Sequence, residues 1–453
     1  MTVSEIYHKH VMQCWASQAE YQPIEVYKTE GCWIHTTDER KIFDLRSAHE
    51  CINLGFNHPK VIEAVKVGLE KPIYVTDDFA VESTALLAMK LAEITPGSPN
   101  KKIWFGQSGA GSVEAAIKAA RFHKQIKLRE KGSESVQYPF PYKIISRYRA
   151  WHGSSLNALS AGGDPRKWFS EPLIAPGFIQ APDAYPYRSP FGEDETGAKA
   201  ADYLEYMLEM EGGGDFVAAI MVEPVVGSNG IIPAPQSYVK RVRELCDAFD
   251  VLLIVDETMT GMGRTGKFLS IEHYDIEPDI IIMGKALGVY CPISATIMNE
   301  EVSASFDENI FGHGQSYSGH SLAASAALKS IEVLEDEVLP DVPMKAGYLQ
   351  KKLLQLKEKY DFVGDVRGLG LMWTMELIKD EKTKESFRSF GEKYKSTPVK
   401  ELSRYMLDEL NIYVPGDKFG LWIVPPLVVS MEELDWLTDQ IDKALEYFKK
   451  LIN

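Results

Sequence analysis

The middle of the chain alternates between two hydrophobic periods. Short apolar runs occur at Lys102–Phe105, Lys143–Arg147, Phe216–Val222, Val251–Val255, Asp279–Met283 and Ile293–Ile297. Runs that do not alternate with polar residues are buried on both faces, as in a parallel sheet covered by helices. Between them, Val113, Ala116, Ile117 and Ala120 recur at helical spacing, and Tyr238–Phe249 reads as a second helix. Strand, helix and strand in this order imply right-handed crossovers and an α/β domain.

Beyond about residue 325 the texture changes. Leu349, Leu353, Leu356 and Tyr360 mark an amphipathic helix with lysines on its other face. A strand at Gly370–Leu377, a charged segment and a helix from Met431 onward complete the chain. The pattern divides the chain into an N-terminal arm with part of a small domain (1–60), a large domain (61–325) and a C-terminal small α+β domain (326–453). No stretch is long and Gly/Ser-rich enough to be a free linker, so these parts are expected to pack together.

Composition narrows the class. The 453 residues carry 49 Lys+Arg against 65 Asp+Glu, a formal charge of −16. That balance argues against nucleic acid and anionic membranes as partners, and any anionic substrate must be attracted locally. The five cysteines form no CxxC pair, so no zinc or redox motif is expected, and isolated thiols suit a reducing compartment. The N-terminus lacks a basic segment followed by an apolar one, and no apolar run reaches membrane-spanning length. A cytoplasmic location is expected.

In an open α/β sheet, ligands bind just beyond the carboxyl ends of the strands. Four strand ends are informative. Lys102–Phe105 leads into Gln107-Ser108-Gly109-Ala110-Gly111-Ser112 and then a helix, whose exposed N–H groups suit a phosphate. Alone, this is also the pattern of a plain strand–helix turn. Lys143–Arg147 leads into Trp151-His152-Gly153, where an aromatic can cover a planar ring or simply join the core. Asp256 follows five apolar residues, and a carboxylate at a buried sheet mouth needs a cation or donor facing it, unless it is only a cap. Lys285 follows Asp279–Met283 and Gly284; it is either a confined, nucleophilic amine or a lysine snorkelling to solvent.

Together these four meet one requirement. Pyridoxal phosphate (PLP) chemistry needs a lysine to carry the aldehyde, an acid for the pyridinium nitrogen, a flat ring cover and an anion cradle.

At this point the sequence resembles the class III (ω-type) PLP-dependent aminotransferases, from about Glu30 to the C-terminus. Ile254-Val-Asp-Glu-Thr-Met-Thr-Gly-Met-Gly-Arg-Thr-Gly266, followed by Pro278-Asp-Ile-Ile-Ile-Met-Gly-Lys285, is similar to that family's D-E-x-x-x-G-x-G-R-T-G, P-D and lysine. The resemblance implies PLP-dependent transferase fold type I. That fold is aspartate-aminotransferase-like, with a three-layer α/β/α large domain, a smaller α+β domain and a homodimer with shared active sites, or a tetramer of two such dimers. It implies Lys285 and Asp256 as catalytic residues and Ser108, Gly109, Ala110, Trp151, His152, Glu223, Asp256, Thr258 and Lys285 as cofactor contacts. Ser316, in Phe311–His320, would reach the phosphate of the neighbouring subunit's cofactor. No metal is expected.

The chain departs from the pattern in places. Ala110 has no hydroxyl, so Gly109 and Ala110 would hold phosphate through backbone N–H only. Thr258 stands where a Val commonly packs on the ring. Trp422, two residues before Val424-Pro425-Pro426, falls in a run where many members carry an arginine for the substrate carboxylate, and Tyr413–Gly416 lacks a flexible arginine. Glu50 stands where relatives often have an apolar pocket residue, and it equally suits a substrate with a second amine.

Ser146–Gly153 and Glu171–Phe178 resemble the branch that takes taurine, with 2-oxoglutarate or pyruvate as acceptor. A tetrahedral sulfonate suits an arginine plus an indole N–H, for which Arg149 and Trp15 are the candidates. The expected reaction is ping-pong transfer of an amino group from an ω-amino compound, with taurine giving sulfoacetaldehyde. The alternatives are an amino-acid racemase or epimerase, or a diamine, β-alanine or 4-aminobutyrate aminotransferase, on the same fold. A non-catalytic binding protein is a further alternative, opposed by the presence of both Asp256 and Lys285.

Overall fold

A computed structural model describes residues 1–19, 21–130, 140–388, 397–414 and 420–453. Its largest sheet contains β1 (Lys102–Gly106), β2 (Lys143–Arg147), β3 (Phe178–Ala181), β4 (Val217–Val222), β5 (Leu252–Asp256), β6 (Ile280–Met283) and β7 (Ser294–Met298), in the order β1-β7-β6-β5-β4-β2-β3. The strands from β4 to β7 are buried at every position. Helix α1 (Gly109–Glu130) follows β1, and α2 (Gln236–Ala248) lies between β4 and β5.

Alternate residues of one strand serve two cores, and this makes the layers. Leu252, Ile254, Ile280 and Ile282 pack with Val113, Ala116 and Ile117 of α1. Leu253, Val255, Ile281 and Met283 face the other way, into the cluster that holds Val239, Val242 and Leu245 of α2. Because the side-chain period of a strand is two, an uninterrupted apolar run supplies both faces. The result is the three-layer α/β/α arrangement of fold type I.

The sheet is not wholly parallel. β7 pairs antiparallel with both β6 and β1, whereas β3-β2-β4-β5-β6 are mutually parallel. Only a short 3₁₀ turn and loop separate Met283 from Ser294, too little chain for a crossover back across the sheet. The strand doubles back instead.

The two chain ends share structure. Val26–Glu30, Trp33–Thr36 and Lys41–Asp44 form an antiparallel sheet that Ile412–Tyr413 extends in parallel. The stretch read as one strand at Gly370–Leu377 is part of a hairpin, Val363–Leu369 with Met372–Asp380, turning at Gly370 with φ +62°. Gly420–Ile423 adds to that hairpin. Helix α3 (Ser321–Val333) runs through position 325, and α4 (Val342–Lys359) and α5 (Met431–Ile452) complete the C-terminal part. Among the described residues no helix is long and apolar enough to cross a membrane, and no cluster of His, Cys, Asp and Glu is placed to hold a metal. Pro415 and Gly416, part of the stretch noted for its lack of an arginine, lie outside the described residues.

Candidate active site

The ends of β4, β5 and β6, the start of α1 and the loop after β2 converge on a cavity of about 170 Å³. Gly109, Ala110, Trp151 and His152 line one part of it, and Glu223, Asp256, Thr258 and Lys285 another. The strand-end residues singled out from sequence are thus brought to one place.

Asp256 ends β5 and is buried. Its Oδ2 lies 2.7 Å from His152 Nδ1, and its Oδ1 accepts a hydrogen bond from Thr258 N at 3.0 Å. Burial by itself works to raise the pKa of this carboxyl. His152 and the Thr258 contact outweigh it and hold the group below the usual carboxylate range. At Glu223, which follows β4, burial prevails over the attraction of His152 and Arg147 and pushes the carboxyl up to about 7. It accepts a hydrogen bond from Trp151 N at 3.3 Å.

Lys285 opens the 3₁₀ turn after β6 with φ +44°, and its Nζ donates to Glu50 Oε2 at 2.8 Å. Glu50 Oε1 accepts from Arg46 Nε at 2.9 Å. Burial works to raise the Glu50 pKa, but Lys285 and Arg46 together pull it down to about 2. An unusual backbone delivers Glu50. Ser47, Ala48, His49 and Glu50 have φ of 48°, 46°, 60° and 62°, a left-handed turn made of non-glycine residues. Each such residue costs roughly 1–2 kcal/mol. Asp44 holds the turn by accepting from Arg46 N and Ala48 N, at 3.0 and 2.6 Å, and Ser47 Oγ donates to Val424 O at 2.7 Å. Strain of this kind at a site persists only where its surroundings over-determine it.

The cradle is built for close approach. The first N–H groups of α1 have no partner within the helix. Ser108 Oγ accepts from Gly111 N at 3.1 Å, so this exposed hydroxyl caps the helix rather than facing the cavity. A Cβ at Gly109 would lie 2.8 Å from Thr258 Cγ2, and one at Gly153, where φ is +128°, would lie 2.6 Å from Ala110 Cβ.

Trp15 and Trp151 meet edge to face at 5.9 Å between ring centroids. The arginine beside them is Arg166, not Arg149. Arg166 Cζ lies 3.2 Å from the Trp151 ring centroid and 5.6 Å from that of Trp15, while its Nε and Nη2 bond Asp164 at 2.9 and 3.1 Å. Arg149 pairs with Asp183 at 3.5 Å, lies 5.3 Å from the Tyr185 ring centroid and is not among the residues that line the cavity. Ser316 is exposed and also outside the cavity, its carbonyl accepting from Tyr74 Oη.

Sequence reading missed Arg166, Arg46 and the Glu50–Lys285 pair, and also Gly153, Val225, Ser228, Met259 and Thr260 of the lining. The Gly after Trp151-His152 was a usable signal for a close approach. Nothing in the sequence couples residue 166 to 151.

PLP fits these residues. Among the described residues, His152 Nε2 is buried with no hydrogen-bond partner while its other nitrogen serves Asp256. The cavity is walled by an indole, floored by a helix start without side-chain bulk, and carries a carboxylate near one group and a primary amine near another. Such a donor set suits a flat ring with an acidic nitrogen, an anionic tail and an aldehyde.

The whole chain has counterparts. A family model for class III aminotransferases matches residues 15–445. The leucine/methionine racemase of Thermococcus litoralis is 35% identical over 438 residues, covering 95% of this chain and 92% of the racemase. The acetylornithine aminotransferase of Methanocaldococcus jannaschii is 34% identical, covering 94% of this chain and 95% of its own. A crystal structure of taurine:2-oxoglutarate aminotransferase from Bifidobacterium kashiwanohense, in complex with PLP and glutamate, matches with a TM-score of 0.91 at 29% identity, covering 99% of this chain and 98% of that one. By fold, cavity and length of match, the chain belongs to the class III aminotransferases, which use PLP to transfer an amino group from an amine donor to an oxo acid.

Proposed function

We propose that the enzyme moves the amino group of an ω-amino compound, taurine first among them, to 2-oxoglutarate or pyruvate. The observation that carries the donor is the Trp15–Trp151–Arg166 cluster at the edge of the cavity. An arginine and indole N–H groups suit a tetrahedral monoanion better than a planar fork would. Arg166 takes the place first assigned to Arg149. The likeness to the Bifidobacterium taurine:2-oxoglutarate aminotransferase supports the same reading.

In this reading Lys285 and Asp256 are the catalytic pair. PLP, when bound, supplies an aldehyde that condenses with amines and a pyridine ring that accepts electrons from the carbon bearing the amino group. Asp256, kept ionised by His152, would be the carboxylate that keeps the cofactor's ring nitrogen protonated. Lys285 Nζ would be the base that takes the proton from the amine-bearing carbon of the donor, and the acid that returns one to the 2-oxo carbon of the acceptor in the second half of the reaction. Gly109 and Ala110 at the start of α1 would hold the phosphate by backbone N–H, with Ser108 fixing their turn, and Trp151 and Thr258 would bound the ring. Ser316 serves the partner's cofactor in a homodimer, in a cytoplasmic enzyme.

A panel of taurine, β-alanine, 4-aminobutyrate, diamines and α-amino acids, each with pyruvate and 2-oxoglutarate, tests the proposal. Taurine should give sulfoacetaldehyde with at least one acceptor. Reaction with α-amino acids alone overturns it. A second reading, racemisation of an amino acid, draws on the 35% relative. A racemase turns over with no oxo acid present, so acceptor dependence separates the two.

A further inference from the structure

Residues 227–231 form a tight loop joining the short antiparallel pair Val225–Val226 and Ile232–Pro233. This segment reaches the active-site cavity, where Val225 and Ser228 are lining residues. It is also wedged and strained. A Cβ at Gly227 would lie 2.0 Å from Sδ of Met259, another lining residue. Ile231, wholly buried, has φ +47°, a region that β-branched residues scarcely occupy. Gly230 N and Ile231 N both donate to Gly227 O, at 3.2 and 3.1 Å. Asn229 Nδ2 donates at 2.6 Å to the carbonyl of Arg149, two residues before Trp151. Backbone of this kind persists only where its surroundings over-determine it.

One such restraint comes from the C-terminal part of the chain. Arg367, in the first strand of the Val363–Asp380 hairpin, donates from Nε to Gly230 O at 2.9 Å and to Ile231 O at 3.1 Å, and from Nη2 to Gly230 O at 2.6 Å. Those two carbonyls stand on either side of the Ile231 Cα, so holding both fixes its unusual backbone. Arg367 Nη1 donates to Asp365 Oδ2 at 2.8 Å and to Glu376 Oε2 at 2.7 Å. Glu376 is wholly buried and also accepts from Tyr185 Oη at 2.5 Å and Arg188 Nε at 2.6 Å. Burial works to raise its pKa, but Arg367 and Arg188 outweigh it and hold the carboxyl below the usual range. The guanidinium is thus divided: two carboxylates fix one edge, and the other edge grips the loop.

We propose that Arg367 is a positioning residue for the reaction: by holding residues 227–231 from the C-terminal hairpin, it sets the cavity wall at Val225 and Ser228 and, through Asn229, the segment that carries Trp151. This rests on the reading of the cavity as the active site. Arg367 does not itself line the cavity, so it acts through the loop. The division of its guanidinium makes lysine the informative replacement. An ammonium is a single point charge, which answers Asp365 and Glu376 but does not span to the carbonyls as the planar fork does.

The test uses the full chain loaded with PLP and carrying Arg367→Lys or, as a milder change, Asp365→Asn. Hydrogen exchange read by mass spectrometry over the loop and over the hairpin needs no turnover. In Arg367→Lys the amides of Gly230 and Ile231 should exchange at least about tenfold faster, the effect of one lost hydrogen bond, while the hairpin keeps its protection. The kcat/KM for the amine donor should fall about 10–100-fold, as expected when a reacting geometry loosens. The PLP dissociation constant should change by no more than about twofold, the scatter of independent sites, because Gly109, Ala110 and Lys285 stand outside the loop. Asp365→Asn should move loop exchange and kcat/KM in the same directions by smaller factors, which keeps the test readable if the lysine variant does not fold. Unchanged loop exchange, or faster loop exchange with kcat/KM unaltered, overturns the proposal. So does loss of PLP and of hairpin protection in step with activity, since that makes Arg367 a support of the fold alone. Failure of the wild type to turn over any amine with any oxo acid would instead overturn the reading of the cavity, while loop exchange still decides whether Arg367 holds residues 227–231.

Discussion

His152 Nδ1 lies 2.7 Å from Asp256 Oδ2, and both side chains are buried. This contact is the largest influence opposing burial on Asp256 and keeps its carboxyl ionised. Replacing the imidazole removes that support, so burial should prevail and the Asp256 pKa should rise. For His152→Ala we expect kcat/KM to fall about 10–100-fold, the equivalent of one hydrogen bond to a charged group, and the acid limb of its pH profile to move to higher pH. An unmoved limb would separate His152 from the ionisation of Asp256.

Glu257 gives a stability test. Burial pushes its carboxyl up to about 7, against the opposing hydrogen bonds from Thr260 and Ile271 N. The folded protein therefore holds a proton that the unfolded chain releases near the ordinary carboxyl pKa of about 4.3. Stability from this source is complete below that value and is lost as pH rises through 7, because the native state binds more protons. His49 and His123, pushed down to about 4 mainly by burial, work in the opposite sense, so the informative quantity is a difference. Relative to Glu257→Gln, the wild type should lose up to about 3 kcal/mol of unfolding free energy between about pH 4.5 and 7.5. Denaturant melts at several pH values measure it, and a constant difference would contradict the assignment.

Arg264, within the motif that follows Asp256, stabilises the site's frame and does not contact the cavity. It is wholly buried, and burial pushes its pKa down to about 10. Its Nη1 donates to Leu371 O and Pro425 O at 3.1 and 2.6 Å, and its Nη2 to Ser47 Oγ at 3.2 Å and to Asn53 Oδ1. One guanidinium thus ties the loop after β5 to the N-terminal turn that carries Glu50 and to the C-terminal strands. Arg264→Met should cost ~3 kcal/mol or more, since several buried acceptors lose their donor at about 1–3 kcal/mol each. Chemical denaturation measures the loss; a change below about 1 kcal/mol would mean that the acceptors find other partners.

Legibility in the sequence followed burial. β5 and β6 were readable because strands buried on both faces write themselves as unbroken apolar runs, and the polar residue that ends such a run stands out, as Asp256 and Lys285 do. Strand direction leaves no mark on periodicity, so the antiparallel β7 was not readable from its own residues; only the short segment before it carried the information. The first strand of the Val363–Asp380 hairpin was passed over because its residues are half-buried and polar ones interrupt it. Arg166 on Trp151 and Arg46 on Trp422 are contacts between distant segments, which local pattern does not record. The left-handed turn at Ser47–Glu50 was hidden for a further reason: it contains no glycine to announce it.

The most direct test of the central claim is to reduce the PLP-loaded enzyme with borohydride, digest it and locate the cofactor by peptide mass spectrometry. The account predicts the cofactor on the peptide containing Lys285 and none retained after the same treatment of Lys285→Ala. Cofactor found on another lysine, or fixed by reduction in Lys285→Ala, would contradict it.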